Sequence, residues 1–94
     1  MPAYILLTRL TDEGSATITK NPERIKEVNK DVEAMGGKIL NQYAILGPYD
    51  FVNVIEAADN EAIAKISINL ASRGTLRIQT FPAIEVDAFI ENLK

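Results

Sequence analysis

Asn41, Tyr43, Asn53, Glu56, Arg77 and Gln79 each interrupt an otherwise apolar run of this sequence. A buried polar group costs about 1–3 kcal/mol unless it is hydrogen-bonded. Side chains placed in this way therefore surround a ligand, pair with one another, or sit at a wet strand edge. If they converge on a cavity, Asn53 or Tyr43 can hydrogen-bond a carbonyl or phenolate, with Arg77 as the partner of an anion. Tyr49 and Asp50 are a further candidate pair. Asp50 can act as a base or oxygen ligand beside Tyr49. Alternatively, its carboxylate caps backbone N–H groups of a turn while Tyr49 plugs the sheet end or a seam between subunits. The ligand-binding candidates are thus Tyr43, Tyr49, Asp50, Asn53 and Arg77, and none is assigned a catalytic role. Lys20 and Arg24, near a helix start, can hold an anion together with the segment Thr11–Lys20. Gly14 stands alone there without a phosphate-loop pattern, so a solvated loop is the simpler reading.

What is missing narrows the chemistry. The 94 residues contain no His, Cys or Trp. Without His there is no usual general base near neutral pH, and the commonest metal ligand is gone. Without Cys there are no disulfides, thiolate zinc sites, iron–sulfur clusters or thiol nucleophile. Glu23, Glu27, Asp31 and Glu33 are scattered without calcium-loop spacing, so neither a metal nor a cofactor is expected. Ten Lys+Arg against 13 Asp+Glu, a net charge of −3, argue against a nucleic-acid partner, which normally demands a basic face. The apolar run Ala3–Leu7 has no basic region before it and is soon broken by Arg9. A signal peptide or spanning helix is therefore not expected, and the expected setting is cytoplasmic, with no membrane partner. At 47% hydrophobic and 24% charged the composition is globular, and the length suits one domain over residues 1–94.

The candidates must be held by a short series of elements. Residues 3–10 read as a buried strand. Asn21-Pro22 then starts a helix, with Asn as cap, Pro at the first helical position and Glu23 in the first turn. Its apolar stripe is Ile25, Val28, Val32 and Met35, and Gly36-Gly37 ends it. Residues 38–46 and 51–57 form a hairpin around the tight turn Gly47-Pro48-Tyr49-Asp50. Asp59 caps a second helix running to about Arg73, where Gly74 stops it. Residues 75–81 are a fourth strand with Pro82 beyond, and Val86, Phe89, Ile90 and Leu93 mark a short final helix. Strands joined by helical crossovers are expected to pair in parallel with right-handed connections, and the hairpin antiparallel. The order β-α-β-β-α-β is that of an α+β, ferredoxin-like sandwich with two helices on one sheet face.

Such a sandwich leaves its other face bare, on the order of 300 Å² of flat sheet. Leu76 and Ile78 oppose Thr75, Arg77, Gln79 and Phe81, a partial alternation. The other strands are apolar on both sides: Tyr4 to Leu7 in the first, Ile39, Tyr43 and Ile45 against Leu40, Ala44 and Leu46 in the second, Phe51 and Ile55 against Val52 and Val54 in the third. A patch of this kind usually marks an interface. A second copy stacked sheet to sheet covers it, or the final helix folds back across it. Ten helical residues reach only ~15 Å, too little to cover the whole face. The expected assembly is therefore a homodimer or higher homo-oligomer, with the last helix free to clasp the partner. In the second helix, Ala62, Ile66 and Leu70 form one stripe and Ala64, Ile68 and Ala71 another, so burial on two sides competes with a solvated face.

The Gly47-Pro48-Tyr49-Asp50 turn resembles the signature of the GYD family, small bacterial and archaeal proteins named for it. Also similar are Tyr4, Leu10-Thr11-Asp12-Glu13-Gly14, Asn21-Pro22-Glu23-Arg24, Met35-Gly36-Gly37-Lys38 and Glu56-Ala57. The likeness covers about residues 3–84. It implies a dimeric α+β barrel, in which ferredoxin-like subunits pair sheet to sheet, and it carries no established activity. Related barrels include cofactor-free monooxygenases, haem proteins and isomerising or ring-cleaving enzymes, and haem ligation through His is closed to this chain.

The expected function is a homo-oligomeric barrel module that recognises a small molecule. The alternative is a cofactor-independent enzyme, monooxygenase- or isomerase-like, acting on a small aromatic or carbonyl compound through Tyr43, Asn53 and Arg77. An enzyme needs those side chains to converge on a pocket of about 300 Å³ or more. A third reading is a ligand-sensing or assembly partner in a larger complex.

Overall fold

A computed structural model describes residues 1–94. The elements are β1 (Ala3–Leu10), α1 (Asp12–Lys20), α2 (Arg24–Ala34), β2 (Lys38–Ala44), β3 (Phe51–Glu56), α3 (Asn60–Ala71), β4 (Leu76–Ala83) and α4 (Val86–Leu93). The four strands form one sheet in the order β2-β3-β1-β4, and every pairing is antiparallel. The architecture is the ferredoxin-like α+β sandwich read from the sequence. One detail of pairing is corrected. β1 and β2 run parallel but do not pair, because β3 inserts between them, and β1 likewise separates β3 from β4.

Thr11–Lys20 is not a loop. Thr11 caps α1 by accepting the Gly14 N–H on its hydroxyl (3.1 Å), and Asp12 and Glu13 lie at the positive end of the helix dipole with Lys20 at the negative end. The hydroxyls that suggest a loop are satisfied within the helix: Thr17 donates to the Glu13 carbonyl (2.9 Å) and Thr19 to that of Ser15 (2.8 Å). Gly14 serves close packing here. A Cβ at that position would overlap the Thr75 carbonyl oxygen, so α1 approaches the residue that leads into β4 only through glycine. Asn21 closes α1 rather than opening α2: its N–H bonds the Thr17 carbonyl, and α2 starts at Arg24 without a side-chain cap.

α2 ends as its two glycines predict. The Gly37 N–H reaches the Val32 carbonyl and the Gly36 N–H that of Glu33, both at 3.0 Å, with Gly36 at φ 93°. This is the Schellman pattern, which needs a left-handed residue. Asp59 accepts the Ala62 N–H (2.9 Å) at the start of α3. β4 runs on through Pro82 to Ala83, which is permitted because it is an edge strand.

The core lies between the sheet and α2 and α3. Tyr4 and Leu6 from β1, Ile55 from β3, Val32 from α2, and Ile63, Ile66 and Leu70 from α3 are buried together with Ala57. Of the two stripes on α3, only the one through Ile66 and Leu70 enters this core; Ile68 is 71% exposed. α4 buries none of its residues and does not cross the sheet. The molecule is accordingly elongated, 50 × 28 × 18 Å.

Candidate functional site

The strand register sorts the candidate residues onto two opposite faces. On β1, Tyr4, Leu6 and Thr8 are buried and point toward the helices, so Ile5, Leu7 and Arg9 point away. Asn53 pairs with Leu6 and Gln42, and therefore shares the helix side. Gln79 pairs with Leu7 and Arg77 with Arg9, which puts both on the open face. A β-bulge between Ile39 and Asn41 re-phases β2. Ile39 lies opposite Ile55 on the helix side, whereas Asn41 and Tyr43 lie opposite Val54 and Val52 on the open face. Ile39 and Tyr43 are thus on different faces, not on one as simple alternation predicts.

Tyr43, at the β2 edge, and Arg77, at the β4 edge, are consequently separated by two strands, and Asn53 faces the other side of the sheet. The chain does not gather all three round one substrate.

Tyr49 and Asp50 hold the turn to its neighbours. The Asp50 carboxylate accepts the Leu10 N–H at 2.8 Å, and its backbone N–H donates to the Thr8 carbonyl at 2.8 Å. The Asp50 carbonyl accepts the Ile45 N–H, also at 2.8 Å. One residue thus ties the end of β1 to the hairpin. The Tyr49 hydroxyl donates to Gln79 Oε1 on β4 at 2.6 Å, reaching over β1. Between them lies Arg9, which donates to the Pro48 carbonyl (2.9 Å) and holds its guanidinium 5.8 Å from the centre of the Tyr49 ring. Arg9 is not among the sequence candidates. Its place opposite Arg77, a like-charge pair, becomes visible only once the β1–β4 register is fixed.

This geometry supports the structural reading of Asp50 and yields a prediction. Asp50→Ala leaves the Leu10 N–H without its acceptor and should lower stability by about 1–3 kcal/mol. Asp50→Asn, which keeps a carbonyl oxygen at that position, should recover most of the loss. Urea denaturation of the three proteins measures both.

The helix side holds a cavity of about 290 Å³ between the sheet, α1 and α2. Leu6, Leu10, Ile18, Val28 and Phe51 are among its apolar walls, and Thr8, Thr75, Asn29, Gln42, Asn53, Arg24 and Arg73 are among its polar groups. Asn29 and Gln42 exchange two amide hydrogen bonds, at 2.8 and 3.0 Å, which tie α2 to β2. Asn53 Oδ1 is buried with no hydrogen-bond partner. Of the five ligand-binding candidates, Asn53 alone lines this cavity.

The open face presents Ile5, Leu7, Val52, Val54, Tyr43 and Phe81, with Tyr43 60% and Phe81 45% exposed. Beyond β4, α4 carries a second apolar surface of Val86, Phe89, Ile90 and Leu93, all exposed. No helix is long and apolar enough to cross a membrane. Contiguous apolar surface of this extent suits contacts with other macromolecules.

The comparisons with known proteins agree with the fold. A crystal structure of TTHA0845 from Thermus thermophilus superposes with a TM-score of 0.57 at 20% identity, covering 90% of this chain and 95% of that one. That of MtbAldR gives a TM-score of 0.67 at 15% identity, over 89% of this chain and 52% of that chain. A Thermus thermophilus protein named glutamine synthetase and cystathionine beta-lyase binding protein is 52% identical over 95 residues, with 100% of both chains covered. The GYD domain matches residues 4–93, including the stapled turn described above. This chain belongs to the GYD domain family.

Proposed function

We propose that this chain is a non-catalytic homodimer that docks on metabolic enzymes, with glutamine synthetase as the first expected partner. The observation that carries this reading is the end-to-end, 52% identity with a protein named for binding glutamine synthetase and cystathionine beta-lyase. It agrees with the assembly-partner reading of the sequence. The dispersal of Tyr43, Asn53 and Arg77 over two faces favours it over the enzyme alternative.

Dimerisation rests on the two uncovered apolar surfaces. A stable interface takes roughly 800 Å² from each partner. The open sheet face alone is small against that figure, and α4, standing clear of its own domain, supplies further apolar contact by packing on the partner copy. The two sheets then enclose Ile5, Leu7, Val52 and Val54 of both copies in a shared core.

The test is direct binding. Analytical ultracentrifugation of the purified chain with glutamine synthetase from the same host should show a saturable complex sedimenting with the enzyme. The same experiment with cystathionine beta-lyase provides the second partner. Absence of a complex with both enzymes overturns the docking reading.

A further inference from the structure

The open sheet face ends in charge that one copy does not balance. At one end Arg9 of β1 and Arg77 of β4 lie opposite each other in register, and both are exposed. Like charges placed side by side in this way repel. The ion pairs of the chain join Arg24 to Glu27, Arg73 to Asp31 and Lys94 to Glu91, so neither arginine has a carboxylate of its own. Arg9 spends its Nε on the Pro48 carbonyl, and the Asp50 carboxylate at the same end is directed to the Leu10 N–H. At the other end of the face Glu56 lies opposite Lys38, which leaves that end neutral.

β4 runs on from there into α4, whose start is acidic. Glu85 caps the helix by accepting the Ala88 N–H at 3.1 Å, and Glu91 is paired with Lys94 at 3.2 Å. Asp87, exposed in the first turn, has no partner. The stretch of β4 from Arg77 to Ala83 spans about 20 Å, so Asp87 cannot meet the arginines of its own chain. A second copy can join them.

Two sheets stacked with aligned strands are related by a two-fold axis that runs along the strands or across them. An axis along the strands brings like ends together and gathers the arginine pairs of both copies at one end. An axis across the strands, through the middle of the face, exchanges the ends. β4 then lies antiparallel over its counterpart, with Arg77 above the partner's Ala83 and the start of the partner's α4 just beyond. The same axis sets Ile5 of one copy over Leu7 of the other, so the apolar middle of the face stays covered.

We propose that two copies stack with their strands antiparallel, so that Asp87 at the start of α4 pairs with the Arg77–Arg9 end of the other copy's sheet. This rests on the homodimer reading above and adds to it the symmetry and the polar contact that fixes it. It also gives α4 its role, a clasp whose apolar side packs on the partner and whose acidic start sets the register.

Sedimentation across a dilution series tests the pairing. Arg77→Glu and Asp87→Lys each turn both symmetry-related attractions into repulsions, and each should raise the dimer dissociation constant about tenfold. The double variant, with the charges exchanged, should return to within about threefold of the natural chain. The chain has no Cys, which permits a second readout. Arg77→Cys mixed with Asp87→Cys should form a disulfide-linked pair under mild oxidation, whereas neither variant alone should do so. If the natural chain is a dimer but the exchange restores nothing and the mixture does not cross-link, the antiparallel arrangement is overturned while dimerisation stands. A natural chain that sediments as a monomer at micromolar concentration overturns both.

Discussion

Replacing Gly14 by alanine is expected to destabilise the protein by about 2–3 kcal/mol, although alanine is the better helix former by roughly 1 kcal/mol. The sign is decided by the Thr75 carbonyl. A methyl group at position 14 overlaps its oxygen and lies 3.1 Å from its carbon, and both obstacles are backbone. Neither can swing aside as a side chain can. Thr75 is held in place by the Thr11 N–H, which donates to the same carbonyl at 3.1 Å, while the Thr11 hydroxyl donates to the Gly74 carbonyl at 2.8 Å. Moving β4 away from α1 therefore also disrupts the cap that starts the helix. Against a total stability of about 5–15 kcal/mol the loss is large. Urea denaturation should show a lowered midpoint with an unchanged slope. Ser15→Ala, one residue on and exposed, should stay within about 0.5 kcal/mol.

Gly14 also illustrates where sequence reading succeeds and where it stops. Read locally, a glycine among hydroxyl residues marks a loop. Its true constraint is a contact with residue 75, invisible until the fold brings α1 onto β4. By contrast, the Gly36-Gly37 stop and the Asp59 cap are correct from sequence because each acts through hydrogen bonds within five residues. The fold class follows from the same kind of local signals, since helix and strand periods and the order of elements leave few topologies open. The β2 bulge shows the limit of that method. One extra residue reverses every side chain after it, so Tyr43 changes face although the strand itself is legible in the sequence.

The candidate site divides along the same line. That Asn53, Tyr43 and Arg77 are unusual is visible from their apolar neighbours. Whether they meet depends on register across three strand pairings, and they do not. Both readings of the Gly47–Asp50 turn are open in the sequence, because a carboxylate that caps a backbone and one that serves a substrate have the same local surroundings. The long-range bonds from Asp50 to Leu10 and from Tyr49 to Gln79, visible only in the fold, favour the structural one. The cavity cannot be read from sequence at all. It is a space between α1, which reads locally as a loop, and a sheet whose facing residues depend on the bulge.

Leu7→Lys should convert the proposed dimer to a particle of 10.4 kDa without unfolding it. Leu7 lies in mid-sheet, between Val52 on β3 and Gln79 on β4, on the face turned away from the core. Within one subunit the new ammonium group reaches solvent, so the fold should lose no more than about 0.5 kcal/mol. In the proposed sheet-to-sheet pair the same group is buried without a counter-charge. An unpaired buried charge costs on the order of 3–5 kcal/mol, enough to raise the dimer dissociation constant by at least about a hundredfold. Light scattering across a dilution series reads this directly. Phe89→Ser in α4 should weaken the dimer by less, because it removes one contact and buries no charge. If the natural chain is already a monomer at micromolar concentration, the sheet-to-sheet assembly is wrong, and the open face is left free to dock on the partner enzyme. In that case Leu7→Lys would abolish glutamine synthetase binding while leaving the mass of the free chain unchanged. The one substitution, read by mass and by binding, thus distinguishes self-association from direct docking.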